Sequence, residues 1–97
     1  MKKKLGTCPC CKRHAYLTFH HLIPKKLHRR PHFRKHYAKT ELQSGVDICR
    51  TCHNGIHRFY TEMHLGKHLA SLEALMGDDR LADYFAWVAK QKIIIDK

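Results

Sequence analysis

Acidic side chains are scarce in this chain: eight Asp and Glu stand against nineteen Lys and Arg, a formal net charge of +11. The deficit is local. Up to Tyr60 only Glu41 and Asp47 are acidic against fourteen Lys and Arg, whereas from Thr61 onward five bases meet six acids. A field of one sign confined to one half argues for a polyanionic partner, nucleic acid above all, rather than for charge that serves solubility alone. Long apolar runs are also missing, which excludes a membrane span. Met1-Lys2-Lys3-Lys4 is followed by Leu5 alone before Gly6, too little for the apolar stretch of a secretory leader. The expectation is a reducing, cytoplasmic setting with no membrane partner. There is no internal repeat, low-complexity segment or linker, so residues 1–97 read as one domain. A chain of this size buries a modest core and gains from a metal staple.

What the sequence does have is cysteine and histidine. The five cysteines include two pairs at a two-residue gap, Cys8/Cys11 and Cys49/Cys52. In a reducing setting such pairs bind metal more readily than they oxidise. Together they supply the four thiolates of a tetrahedral structural Zn²⁺, which would tie the N-terminal arm to the start of a central helix. Cys10 reads as a bystander beside the first pair, with the alternative that it substitutes for a neighbour as ligand. Cys49-x-x-Cys52-His53 also spells a c-type haem attachment site, but that reading needs an exported protein and leaves the other clusters without a role.

Ten histidines are present, four of them at informative spacings. His53 and His57 are four apart, so one helical face offers two imidazoles to a single ion. His20 and His21 lie at the end of a strand, where successive side chains point opposite ways. One can complete a ligand set while the other faces a substrate, and a neutral imidazole is suited to general-base work at neutral pH. His28, His32 and His36 are also spaced by four, but Pro31 interrupts any common helix, so they read as part of a basic, DNA-facing segment.

The coarse elements place these clusters. Tyr16 to Ile23 is aromatic and β-branched enough for a strand, closed by Pro24. A short helix is expected after Pro31. Ser44-Gly45 signals a turn before a short strand at Val46-Asp47-Ile48, and a helix is expected from about Arg50 to Glu62. Leu65, Leu69, Leu72 and Met76 repeat at helical spacing up to Gly77. Asp78 or Asp79 then caps a last helix whose core face is Leu81, Tyr84, Phe85 and Val88, with Trp87 packing near it.

The order Cys8-x-x-Cys11, His20-His21-Leu22-Ile23-Pro24 and Cys49-x-x-Cys52-His53-x-x-x-His57 resembles the HNH endonucleases, in their zinc-stapled variety with two C-x-x-C pairs. The resemblance covers about residues 8 to 60, leaving a helical extension over about 61 to 97. It implies an α+β fold: a small ββα-metal core, a four-cysteine zinc site and two C-terminal helices. It further implies that His20, His53 and His57 bind a catalytic divalent cation (Mg²⁺, Mn²⁺, Ni²⁺ or Zn²⁺) and that His21 is the general base for phosphodiester hydrolysis. Lys25, Lys26, Arg50 and Arg58, nearest in sequence to those ligands, are candidates for phosphate contact. The family's middle Asn, which orients the base, is replaced here by Ser44-Gly45, so Ser44 is the base-orienting candidate. The alternative is a zinc-stapled nucleic-acid-binding module without catalysis.

Overall fold

In a computed structural model, residues 4–91 are described; the basic start at Met1-Lys2-Lys3 and the end of the C-terminal extension, residues 92–97, lie outside them. Three strands form an antiparallel sheet in the order β1-β2-β3: β1 is Lys4–Thr7, β2 His14–His21 and β3 Gly45–Cys49. β1 escapes sequence reading because it is four residues long, too short to show a period of two. Between β1 and β2 the chain turns at the first cysteine pair, where Lys12 N–H reaches the Cys8 carbonyl at 2.8 Å and Cys8 N–H the Arg13 carbonyl at 2.9 Å. Closing that turn puts Lys12 in the left-handed region with φ of 68°, an uncommon conformation for a side chain with a Cβ.

β2 carries the predicted strand two residues earlier than its apolar stretch suggests, and it ends at His21 rather than Ile23. A basic insertion follows. A single 3-10 turn, Lys25–Leu27, leads into α1 (Pro31–His36), with Pro31 in its first turn as expected, and then α2 (Lys39–Leu42). Ile23, Leu27, Phe33 and Leu42 are buried together as a small second core beneath this insertion. Gly45 then starts β3 directly opposite His21. A Cβ there would collide with the Phe19 ring and the His20 carbonyl, so the close approach of the strands requires glycine.

α3 (Arg50–Phe59) starts where β3 stops. Cys49 is its N-cap, its sulfur accepting the Cys52 N–H at 3.5 Å. Three helices follow, rather than two. The leucine stripe is broken: α4 (Glu62–His68) ends at Leu69, and Ser71 caps a separate α5 (Leu72–Gly77) by accepting the Ala74 N–H at 3.0 Å. Serine offers the backbone a local hydrogen bond that competes with helix continuation, while Leu65, Leu69 and Leu75 stay buried on one side. α6 (Asp79–Ala89) is capped by Asp78, which accepts the Leu81 N–H at 3.0 Å and the Tyr60 hydroxyl at 2.7 Å. Its buried face is Leu81, Phe85 and Val88; Trp87, expected to pack near it, is 55% exposed. No helix among the described residues is long and apolar enough to cross a membrane.

Candidate metal centres

The two cysteine pairs converge. Cys8 and Cys11 come from the β1–β2 turn, Cys49 and Cys52 from the junction of β3 and α3. Their four sulfurs lie within 4.8 Å of one another and all four residues are buried. Cys11 and Cys49 sulfurs are 3.7 Å apart, and no disulfide forms. Four buried sulfurs drawn together unbridged are the donor set of a structural zinc. Electrostatics agrees, since the thiols cannot ionise side by side without a cation. Hydrogen bonds from Cys10, Cys49 and Cys52 push Cys8 well down, while Cys52 is driven up, first by its bond with Cys10. Cys10 is buried against this cluster. Its bond with Cys52 favours the thiolate, but the bond with Cys8, burial and the neighbouring thiolates carry it up to about 12.

Arg13 encloses the cluster from outside. Its Nε donates to Cys11 Sγ at 3.4 Å, Nη2 to Cys49 Sγ at 3.7 Å and Nη1 to the Gln91 carbonyl at 3.0 Å. N–H donors toward thiolate sulfur disperse the negative charge of such a site. The spacing motifs give no hint of this residue.

The second centre lies one helical step further on. α3 presents His53 and His57 on one face, their rings 5.0 Å apart, and β2 presents His20 against them at 5.1 and 5.3 Å. Their nearest nitrogens all fall within 4.8 Å of one another. His20 is 1% exposed, and neither of its ring nitrogens has a hydrogen-bond partner. Burial is the main cause that lowers its pKa to about 3, and the neighbouring His53, His57 and His21 add to it. Burial, then His57, Arg50 and His21, also lowers the pKa of His53. Neutral imidazoles with free lone pairs are what a divalent ion requires.

Thr18 decides which nitrogen of His53 is free. Its hydroxyl has one hydrogen, donated to the Ile48 carbonyl at 3.1 Å. The contact of 2.8 Å between Thr18 Oγ1 and His53 Nδ1 must therefore be donated by the histidine. Nδ1 carries the proton and Nε2 is left as the ligand atom. Thr18 lies two residues before His20 on the same strand face, the one sequence signal that marks it.

His21 points to the other side of β2 from His20, its ring edge-on to Phe19 at 4.9 Å. A proton on His21 would disfavour protonation of His20 and His53, and His21 adjoins His20 in the chain. Burial lowers its own pKa first, then His28 and Lys25. Arg50, with Thr18, His53, Asn54 and His57, lines an open cavity of about 290 Å³ beside the triad. Arg58 lies on the next depression, which shares Asn54 with the first. Lys26 is 3.6 Å from Glu62. Ser44 is exposed, its hydroxyl donating to the Thr40 carbonyl at 3.3 Å. No side-chain bond joins it to His21 among the described residues; its backbone carbonyl accepts the Leu22 N–H at 3.1 Å and so holds the chain next to His21. The histidine facing His21 is His28, with rings 5.8 Å apart.

The chain is 33% identical over 91 residues to the uncharacterized protein YisB of Bacillus subtilis (strain 168), covering 93% of this chain and 80% of that one. The chain belongs to the YisB family. No protein-family model matches it, and no solved structure does. In this YisB-family member the segment from Cys49 to His57 contributes to both candidate metal centres, Cys8 and Cys11 of the β1–β2 turn completing one and His20 of β2 the other.

Proposed function

We propose that the chain is a metal-dependent HNH-type endonuclease that hydrolyses phosphodiester bonds of nucleic acid, DNA foremost. The observation that carries this reading is the buried, unpartnered His20 imidazole facing His53 and His57. A ring with two orphaned nitrogens is costly to bury unless something not of the chain binds it. The basic half of the sequence supports a polyanionic substrate.

His20, His53 and His57 would hold the divalent cation. Three imidazoles favour Zn²⁺ or Ni²⁺, while abundance favours Mg²⁺ and admits Mn²⁺. Bound there, the cation would offset negative charge developing on the attacked phosphate. The chain does the rest. His21, neutral because burial lowers its pKa, takes the proton from the water that attacks phosphorus. Thr18 fixes the His53 tautomer. Arg50 and Lys25, the two cations felt by the site histidines, bind flanking phosphates, and Lys26 and Arg58 extend the positive surface. A Zn²⁺ held by Cys8, Cys11, Cys49 and Cys52 fixes the start of α3, and a reducing cytoplasm keeps those thiols available.

One observation favours a catalytically silent binding module instead: no side chain among the described residues is hydrogen-bonded to His21 to orient it as a base. A supercoiled-plasmid nicking assay with Mg²⁺, Mn²⁺, Ni²⁺ or EDTA decides between the two. The expected outcome is ion-dependent nicking that falls roughly 10²–10⁴-fold in His21→Ala. The wild-type rate should rise with pH and level off, with its inflection below the ordinary histidine value of 6.5, because only the deprotonated ring accepts a proton. DNA binding without cutting in any of these ions assigns the chain to the binding module.

A further inference from the structure

The insertion between β2 and β3 carries another open cavity, of about 380 Å³, lined by His28 but not by His21. Arg29, Arg34 and Lys39 line it together with Tyr37, and Leu42 forms an apolar floor. The three cations are idle: among the described residues none of their side chains makes an ion pair or a hydrogen bond. No acid pairs with them among the described residues. Residues 25–39 contain seven Lys and Arg and no Asp or Glu, and the carboxylate of Glu41 is engaged with the Ala38 N–H at 2.7 Å. Three exposed, unpaired positive side chains around one cavity give it a positive field that suits an anion.

The aromatic wall is fixed in place. Tyr37 is the C-cap of α1, its N–H bonded to the Phe33 carbonyl at 3.0 Å, and its ring stacks on Phe33 at 6.2 Å with an 18° tilt. Phe33 is itself 1% exposed, so Tyr37 is backed by the small second core while also lining the cavity. His28 forms the wall toward His21. Its Nε2 meets the Ile23 carbonyl at 2.7 Å; a carbonyl only accepts, so Nε2 carries the proton and the ring is held across the boundary.

We propose that this cavity is a nucleotide subsite. Arg29, Arg34 and Lys39 take a backbone phosphate of the substrate strand, and Tyr37 stacks the adjoining base, with His28 marking the passage to His21. Guanidinium groups suit phosphate oxygens in forked geometry, and base–aromatic stacking tolerates any sequence. The inference rests on the nucleic-acid reading of the main site. It adds that the strand is gripped on the insertion side, away from α3.

The test is fluorescence anisotropy of a labelled single-stranded oligonucleotide with no divalent ion added, so cleavage plays no part. Arg29→Gln/Arg34→Gln is expected to weaken binding at least tenfold and to flatten the salt dependence by roughly 0.7 of a unit of slope, for the one phosphate no longer neutralised. Arg80→Gln/Lys90→Gln, on α6 and at its C-cap, an equal loss of charge, is expected to change it less than threefold. Tyr37→Leu should weaken binding of the oligonucleotide about fivefold or more yet leave an abasic strand of equal length unaffected. Circular dichroism checks that each variant is folded.

Equal binding by the two double variants overturns the subsite. So does a pocket that responds to inorganic phosphate in the Tyr37 ring resonances while its variants bind oligonucleotide normally, which marks a free-anion site. If plasmid nicking fails but the oligonucleotide result holds, only the nuclease reading falls. If nicking is lost in His21→Ala while the pocket variants bind as wild type, only the subsite falls.

Discussion

A buried polar atom without a partner costs about 1–3 kcal/mol, and His20 has two such atoms in one ring. Nothing in its packing explains a histidine there better than a leucine would, which is why the residue scale carries most of the chemistry. Thr18 belongs with it. By accepting from His53 Nδ1 it prevents the proton from sitting on the nitrogen that faces His20 and His57. Thr18→Val keeps the shape but removes the acceptor, leaving His53 free to change tautomer. We expect divalent-ion affinity, measured by isothermal titration with Ni²⁺ or Zn²⁺ at pH 7.5, to fall roughly 10–100-fold with the thermal transition little changed. Affinity equal to wild type would remove Thr18 from the site. Histidines at helical spacing and an adjacent pair were visible from the sequence. Which nitrogen each presents was not, because tautomers are set by partners distant along the chain.

At the scale of elements, α3 is the structural pivot. Its N-cap is a cysteine of the four-sulfur cluster, its next turn supplies two imidazoles, and its back lies against α6. That contact is close at Gly55, where a Cβ would meet the Tyr84 ring, and Tyr84 cannot swing away because its hydroxyl donates to the Thr51 carbonyl at 3.0 Å. Gly55→Ala therefore sets two effects in opposition. Alanine in a helix interior gains about 0.5–1 kcal/mol, while overpacking a tethered contact costs about 1–3 kcal/mol. Overpacking wins, and urea unfolding should show a net loss of about 1–2 kcal/mol; a stabilised variant would mean the α3–α6 contact yields. The helix that begins inside the second cysteine pair could be read in advance, with His53 and His57 on one face. The break between α4 and α5 could not, since Leu65, Leu69, Leu72 and Met76 fit one helix as well as two, and Ser71 capping decides it.

At the scale of the molecule, the first cysteine pair and the second are about forty residues apart, and joining them closes the sheet onto α3. Hydrophobic burial is spread over two small clusters, so a bound zinc would contribute a large share of the stability of a domain this small. Purified under reducing conditions, the chain should hold one tight equivalent of zinc, released on titrating the thiols with a mercurial. Cys8→Ser/Cys11→Ser should lose the cooperative thermal transition seen by circular dichroism. A metal-free wild type that melts as sharply as the zinc-loaded one would show that the core alone suffices. The sequence by itself determined the ligand chemistry: two C-x-x-C pairs, an H-x-x-x-H face, a His-His pair and a one-sided positive field, because donor type and local spacing are properties of neighbouring residues. Only the tertiary structure decided that His20 is sealed without a partner, that Thr18 rather than a motif residue sets His53, and that His28 rather than Ser44 faces His21. It also decided that the cations of the insertion surround a cavity. Each of these is a contact between segments far apart in the chain, fixed by strand register and helix packing that no local pattern encodes.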